Sequence, residues 1–285
     1  MVKIIDKRNA WNQSHESKGR EGRRIEMIVI HGMATTDENH VPKVWNERSA
    51  SAHYGVKNTT LEMYVAPEDT AWHAANWNIN LRSIGVEHLN STGVPTWEFS
   101  AQTLAASVGF IVDLLKQYHL SVNDIHMHKE FTITDCPQSL AEQANWKNYL
   151  THIADITGEK LNLTPKLTPD GNFSEKLIRA MQHIFKIPET GKIISQPIAN
   201  RPLFNENDEG VEFVADKTAK GAPLVSILQK RLGINVDGFW GKETTKALQK
   251  RYELEQTGLV TKEDSLIKDL VAQINTGLED FIRVL

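Results

Sequence analysis

Three observations predict an α/β domain, a mixed central sheet flanked by helices, followed by a smaller, mostly α-helical domain. Up to about residue 157, short β-branched runs are interspersed with helical periodicity. Beyond it, apolar residues recur mainly at helical spacing. Ten of the eleven histidines and six of the seven tryptophans lie in the first segment. The expected organisation is a first domain over 1–157, a linker over 158–168 marked by Pro165 and low apolar content, and a second domain over 169–285.

The elements of the first domain follow in order. Residues 24–31 end in the continuous run Met27-Ile28-Val29-Ile30-His31, which reads as a central strand closed by Gly32. Residues 51–56 and 61–65 read as two strands of a hairpin, and 84–89 as a further strand. Ser100 as N-cap and apolar residues at Leu104, Val108, Ile111, Val112 and Leu115 predict a helix over 101–118. A second helix is expected from about Pro137 to Ile156.

The second domain carries an internal repeat. Asp170-Gly171, Ala180, Gln182 and Thr190-Gly191 recur 67 residues later as Asp237-Gly238, Ala247, Gln249 and Thr257-Gly258, suggesting two degenerate copies at about 169–194 and 224–261. Leu224, Ile227, Leu228 and Leu232 precede the second turn at helical spacing, and Leu266, Ile267, Leu270, Val271 and Ile274 follow it.

Charge excludes several roles. Lys and Arg number 14 against 18 Asp and Glu up to residue 157, and 18 against 18 after it. Neither half has the cationic surplus that drives nucleic-acid binding through counterion release. No segment approaches the ~20 apolar residues of a spanning helix, so no membrane partner is expected. Met1 to Arg8 has no apolar signal-peptide core, which predicts a protein made in the cytoplasm without a leader. The single cysteine, Cys136, cannot close an internal disulfide and fits a reducing compartment.

The strongest chemical constellation joins His31, at a strand end, to the segment His126-Met127-His128 through Cys136-Pro137. Two imidazoles and a thiolate suit Zn²⁺, and three protein ligands leave a fourth position for water, the pattern of catalytic rather than structural zinc. His126 and His128 share one strand face, so spacing alone leaves both open as the second imidazole.

These residues resemble the zinc-dependent N-acetylmuramoyl-L-alanine amidases shared by phage endolysins and peptidoglycan recognition proteins. The resemblance covers roughly residues 20–150 and rests on Ile28-Val29-Ile30-His31-Gly32, Ser51-Ala52-His53-Tyr54, Ala71-Trp72-His73-Ala74, Asn80 with Ser83 to Glu87, and His128 through Cys136-Pro137. It implies His31, His128 and Cys136 as metal ligands, His128 being chosen over His126 by the family's spacing to the cysteine. It further implies Glu87 as proton carrier, Thr134 as oxyanion donor, and Trp72, His73 and Asn80 as substrate contacts. The C-terminal repeats resemble the peptidoglycan-binding modules of phage lysins, with Asp237, Gly238, Phe239 and Trp240 as the wall-binding turn. The whole then resembles a monomeric endolysin that cleaves the bond between N-acetylmuramic acid and L-alanine and reaches the wall once the host membrane is permeabilised. A zinc peptidase cutting within the stem peptide and a non-catalytic peptidoglycan binder are the alternatives.

Overall fold

A computed structural model describes residues 4–163 and 165–277; the last eight positions of the expected second domain lie outside them. The described residues fall into two compact units divided between Pro165 and Lys166.

In the first unit the chain runs β1 (Ile4–Asp6), β2 (Glu16–Ser17), β3 (Met27–Gly32), β4 (Tyr54–Lys57), β5 (Thr60–Met63), β6 (Thr70–Ala71), α1 (Trp77–Arg82), β7 (Ser83–His88), α2 (Ala101–Tyr118), β8 (Ile125–Met127) and α3 (Gln143–Thr157). The main sheet has the order β1-β5-β4-β7-β3-β8. Strands β4, β7, β3 and β8 run parallel, while β5 returns antiparallel to β4 as the expected hairpin and β1 follows β5. Alternation along these strands separates two chemistries. Ile28, Ile30, Ile84, Val86, Tyr54 and Val56 join Val108, Ile111, Leu115, Leu150 and Ile153 of α2 and α3 in one apolar core. His31, Ser83, Gly85 and Glu87 occupy the alternate positions and so face the opposite side.

One helix differs from the sequence reading and one matches it. The helix expected from Pro137 begins at Gln143, because residues 138–141 form a 3₁₀ turn and Glu142 adopts extended backbone. The helix over 101–118 matches its expected bounds, with Ser100 Oγ accepting the Thr103 N–H.

The second unit contains α4 (Glu175–Ile184), β9 (Ile193–Pro197), β10 (Val211–Val214), α5 (Pro223–Leu232), α6 (Lys242–Arg251) and α7 (Ser265–Asn275). Strands β9 and β10 pair in parallel and were not anticipated. Its core gathers Phe173, Leu177, Met181, Phe204, Leu228, Trp240, Leu248 and Leu270.

One device recurs three times here. Gln182 accepts the Gly191 N–H and donates to Thr190 Oγ1 and Lys192 O. Gln229 accepts the Gly238 N–H and donates to Asp237 Oδ1 and Phe239 O. Gln249 accepts the Gly258 N–H and donates to Thr257 Oγ1 and Leu259 O. Each glutamine thus closes the turn eight to ten residues downstream and satisfies buried backbone groups that helix and sheet leave unpaired. The span 224–261, expected to be one repeat copy, holds two of these closures.

The turn expected to contact the cell wall is built differently from that expectation. Trp240 is fully buried, stands 4.8 Å from Phe173 and donates its indole N–H to Thr245 Oγ1. A ring enclosed on all sides has no face for a sugar, so Trp240 is a core residue. Gly238 is buried against Gly221 and Ala222, and Asp237 Oδ1 is engaged by the Phe239 N–H and by Gln229. Of the four residues, only Phe239 keeps a partly exposed apolar side chain.

Candidate metal centre

Adjacent parallel strands bring the candidate residues together at their carboxyl ends. His31 of β3 pairs in register with Glu87 of β7, and Ile30 pairs with Met127, which brings His128, one residue past β8, level with His31. The return to Cys136 is pinned locally. The buried Glu130 carboxylate accepts the Met127 N–H and lies 2.8 Å from His126 Nδ1. The Phe131 N–H donates to His128 O, and the Lys129 N–H donates to Cys136 O. The Gly32 N–H then donates to Cys136 Sγ at 3.4 Å. Gly32 leaves room there for the Gln138 side chain, whose Oε1 a Cβ would approach to 1.8 Å and displace.

One donor atom from each of His31, His128 and Cys136 lies within 4.8 Å of the others. His31 Nδ1 is 3.7 Å from Cys136 Sγ, and the two imidazole centroids are 4.5 Å apart. Burial, reinforced by the imidazoles of His128 and His73, holds His31 well below the ordinary histidine range, and burial brings His128 down to about 4. Burial, with Glu87 nearby, pushes the Cys136 thiol up. Neutral imidazoles are ready donors, and a bound cation would reverse the cost of the thiolate. His128 Nε2 and Glu87 Oε2 are buried without a hydrogen-bond partner. Orphaned polar atoms are rare in folded proteins and fit a missing ligand or water at this place. The donor set and the orphaned atoms therefore fit a zinc ion.

Glu87 stands beside His31 with its carboxyl pushed up to about 7 by burial, against a smaller opposing pull from Arg48. Thr134 Oγ1 accepts the Cys136 N–H at 3.2 Å. His126 is not in the cluster; it is buried against Glu130 and Phe131.

The three expected substrate contacts have other attachments. Asn80 is buried and its Oδ1 accepts the N–H groups of both His73 and Ala74, so it shapes the loop rather than meeting solvent. His73 is buried behind the cluster, with Nδ1 3.0 Å from His31 Nε2 and Nε2 2.9 Å from Ser83 Oγ. Trp72 is half-buried, donates to Ser17 Oγ, and meets the exposed Trp77 edge-on at 6.4 Å. His53 is buried and linked to Arg20 and Gly85 rather than to the cluster. The sequence reading missed Ser83 and Gly85 as parts of this support. Their signals were their place in the quoted Ser83-to-Glu87 motif and their spacing, four and two residues before Glu87 on one strand face.

Comparison with known proteins bears on the same segment. Residues 21–139 match the family model for N-acetylmuramoyl-L-alanine amidase. A probable N-acetylmuramoyl-L-alanine amidase from Bacillus licheniformis is 24% identical over 272 residues, covering 87% of this chain and 73% of the relative. The amidase CwlH of Bacillus subtilis (strain 168) is 27% identical over 137 residues, covering 45% of this chain and 52% of the relative. The solved catalytic domain of XlyA is 22% identical with a TM-score of 0.44, over 53% of this chain and 99% of that one. The segment that carries His31, Glu87, His128 and Cys136 is thus the segment that matches the N-acetylmuramoyl-L-alanine amidase family model.

Proposed function

We propose that the chain hydrolyses the amide between the lactyl group of N-acetylmuramic acid and L-alanine of the stem peptide, with zinc held by His31, His128 and Cys136. The chain is an amidase and a peptidoglycan hydrolase. The carrying observation is the convergence of three ligand atoms within 4.8 Å beside a buried carboxyl, inside the family-matched segment. When bound, zinc would polarise the amide carbonyl and make water nucleophilic at neutral pH. Glu87 accepts a proton from the attacking water and delivers it to the departing amine. Thr134 spends its oxygen on the Cys136 N–H, which leaves its hydroxyl hydrogen to donate to the developing oxyanion. Trp72 and Trp77 offer aromatic surface beside the loop that carries His73.

The second unit tethers the monomeric enzyme to the wall, raising its local concentration on an insoluble polymer. Phe239 supports this reading as the half-exposed aromatic of the expected turn. In this account the protein is a phage-type endolysin that acts after the membrane is permeabilised. No helix among the described residues is long and apolar enough to cross a membrane.

Digestion of purified walls with labelling of new termini tests the reaction. New N-terminal alanine without new reducing sugar is expected. Other new amino termini would establish the stem peptidase instead, and no release would reduce the chain to a binding protein.

A further inference from the structure

We propose that His73 is a positioning residue that fixes the tautomer of His31, through a one-way hydrogen-bond relay ending on a backbone carbonyl. The proposal rests on the metal reading of the His31 site.

The relay is read from its far end. Ile79 O, in α1, can only accept, so the Ser83 hydroxyl donates to it at 2.6 Å. With its one hydrogen committed, Ser83 Oγ accepts from His73 Nε2–H at 2.9 Å. A neutral imidazole protonated at Nε2 carries its lone pair on Nδ1, so His73 Nδ1 accepts from His31 Nε2–H at 3.0 Å. His31 is then left with its lone pair on Nδ1. That is the nitrogen facing Cys136 Sγ. Each link follows from the one before, and the chain cannot run the other way.

The surroundings are fitted to this arrangement. A Cβ on Gly85 would stand 2.6 Å from the His73 ring, so the missing side chain makes the ring's berth. Asn80 Oδ1 holds the backbone of His73 and Ala74. Ser83, Gly85 and Glu87 lie on one face of β7, so a single strand ends the relay, seats the ring and carries the proposed proton carrier. Metal-bound histidines ordinarily direct their second nitrogen to a carboxylate or carbonyl, and loss of that partner costs about 10–100-fold in affinity. Here a histidine occupies that place and passes the constraint on.

The test uses full-length protein stripped of metal by chelation. Long-range ¹H–¹⁵N correlation of the histidine rings should report His31 and His73 both as Nε2–H tautomers, with His31 assigned by its absence in His31→Gln. Zinc titration against a chelating dye should show His73→Leu binding about 10–100-fold more weakly than wild type. His73→Asn, whose Oδ1 can stand where Nδ1 stood, should recover most of that affinity. Ser83→Ala removes one oxygen and should leave a folded protein in which His73 populates both tautomers. Unchanged affinity in His73→Leu, an Nδ1–H tautomer of His31 in wild type, or an undisturbed His73 tautomer in Ser83→Ala would each overturn the relay. Failure of the metal reading looks different: wild type itself would take up no zinc, and the proposal would fall with it.

Discussion

The two units differ in where buried polar groups are left without partners. In the second, Gln182, Gln229 and Gln249 are each nearly or fully buried, and each spends its whole amide on a downstream turn. In the first, Glu87 Oε2, Asn90 Oδ1, His128 Nε2 and Gln138 Oε1 are buried without partners, and two of the four belong to the metal centre. An orphaned buried polar atom calls for an explanation, and for Glu87 and His128 a bound metal and its water supply one. The contrast marks the turn closures as a folding device and the Glu87–His128 pair as part of the reaction site.

Substitutions can break this contrast, and the largest effect is expected at the orphaned carboxyl. Glu87→Gln should retain zinc yet lose about 10²–10⁴-fold in turnover on soluble muramyl-peptide fragments; near-normal turnover would remove Glu87 from its role. In the saturated unit, Trp240→Ala should lower unfolding free energy by about 3–5 kcal/mol in denaturant titration, because it empties a fully enclosed site. Gln249→Ala should cost about 2–4 kcal/mol, since it strands the Gly258 N–H and Leu259 O, and should leave hydrolysis of soluble fragments unchanged. Phe239→Ala, by contrast, should change stability by less than about 1 kcal/mol while weakening sedimentation with purified walls.

A pH experiment sharpens the comparison further. In metal-free protein, burial brings His88 and His128 down to about 4, below the ordinary 6.5. The unfolded chain therefore binds protons that the folded chain refuses, and stability should fall as pH drops from about 6.5 towards 4. Glu87 has the opposite sign: raised to about 7, it favours the folded state below the ordinary carboxylate range and loses that contribution as pH rises through 7. Thermal midpoints of metal-free wild type and Glu87→Gln should therefore diverge as pH rises from about 4.5 to 7 and stay apart above it, with the variant the more stable.

Much of the site was legible because its strands announce themselves. The run Met27 to His31 and the segment Ser83 to His88 are buried strands of the central sheet, and their β-branched or alternating patterns mark them. β8 has too few residues for periodicity to fix its extent, and only the sheet register, not the shared strand face of His126 and His128, brings His128 beside His31. His73 and Asn80 were expected on the pocket wall. Sequence gives residue type but not depth, and both are buried behind the ligands. The helix start at Gln143 escaped notice because Pro137 is tolerated at a helix start, while the 3₁₀ turn that follows it has no distinct signature. The glutamine closure at Gln229 falls outside the 67-residue repeat, because it closes on Asp237-Gly238 where Gln182 and Gln249 close on Thr-Gly.

The central claim is that His31, His128 and Cys136 form a zinc site, and metal content tests it most directly. Purified full-length protein, analysed by elemental mass spectrometry after dialysis against zinc and then metal-free buffer, should retain one zinc per chain, and Cys136→Ser should retain far less. A wild-type chain that keeps no zinc, or a Cys136→Ser variant that keeps the full amount, would contradict the account.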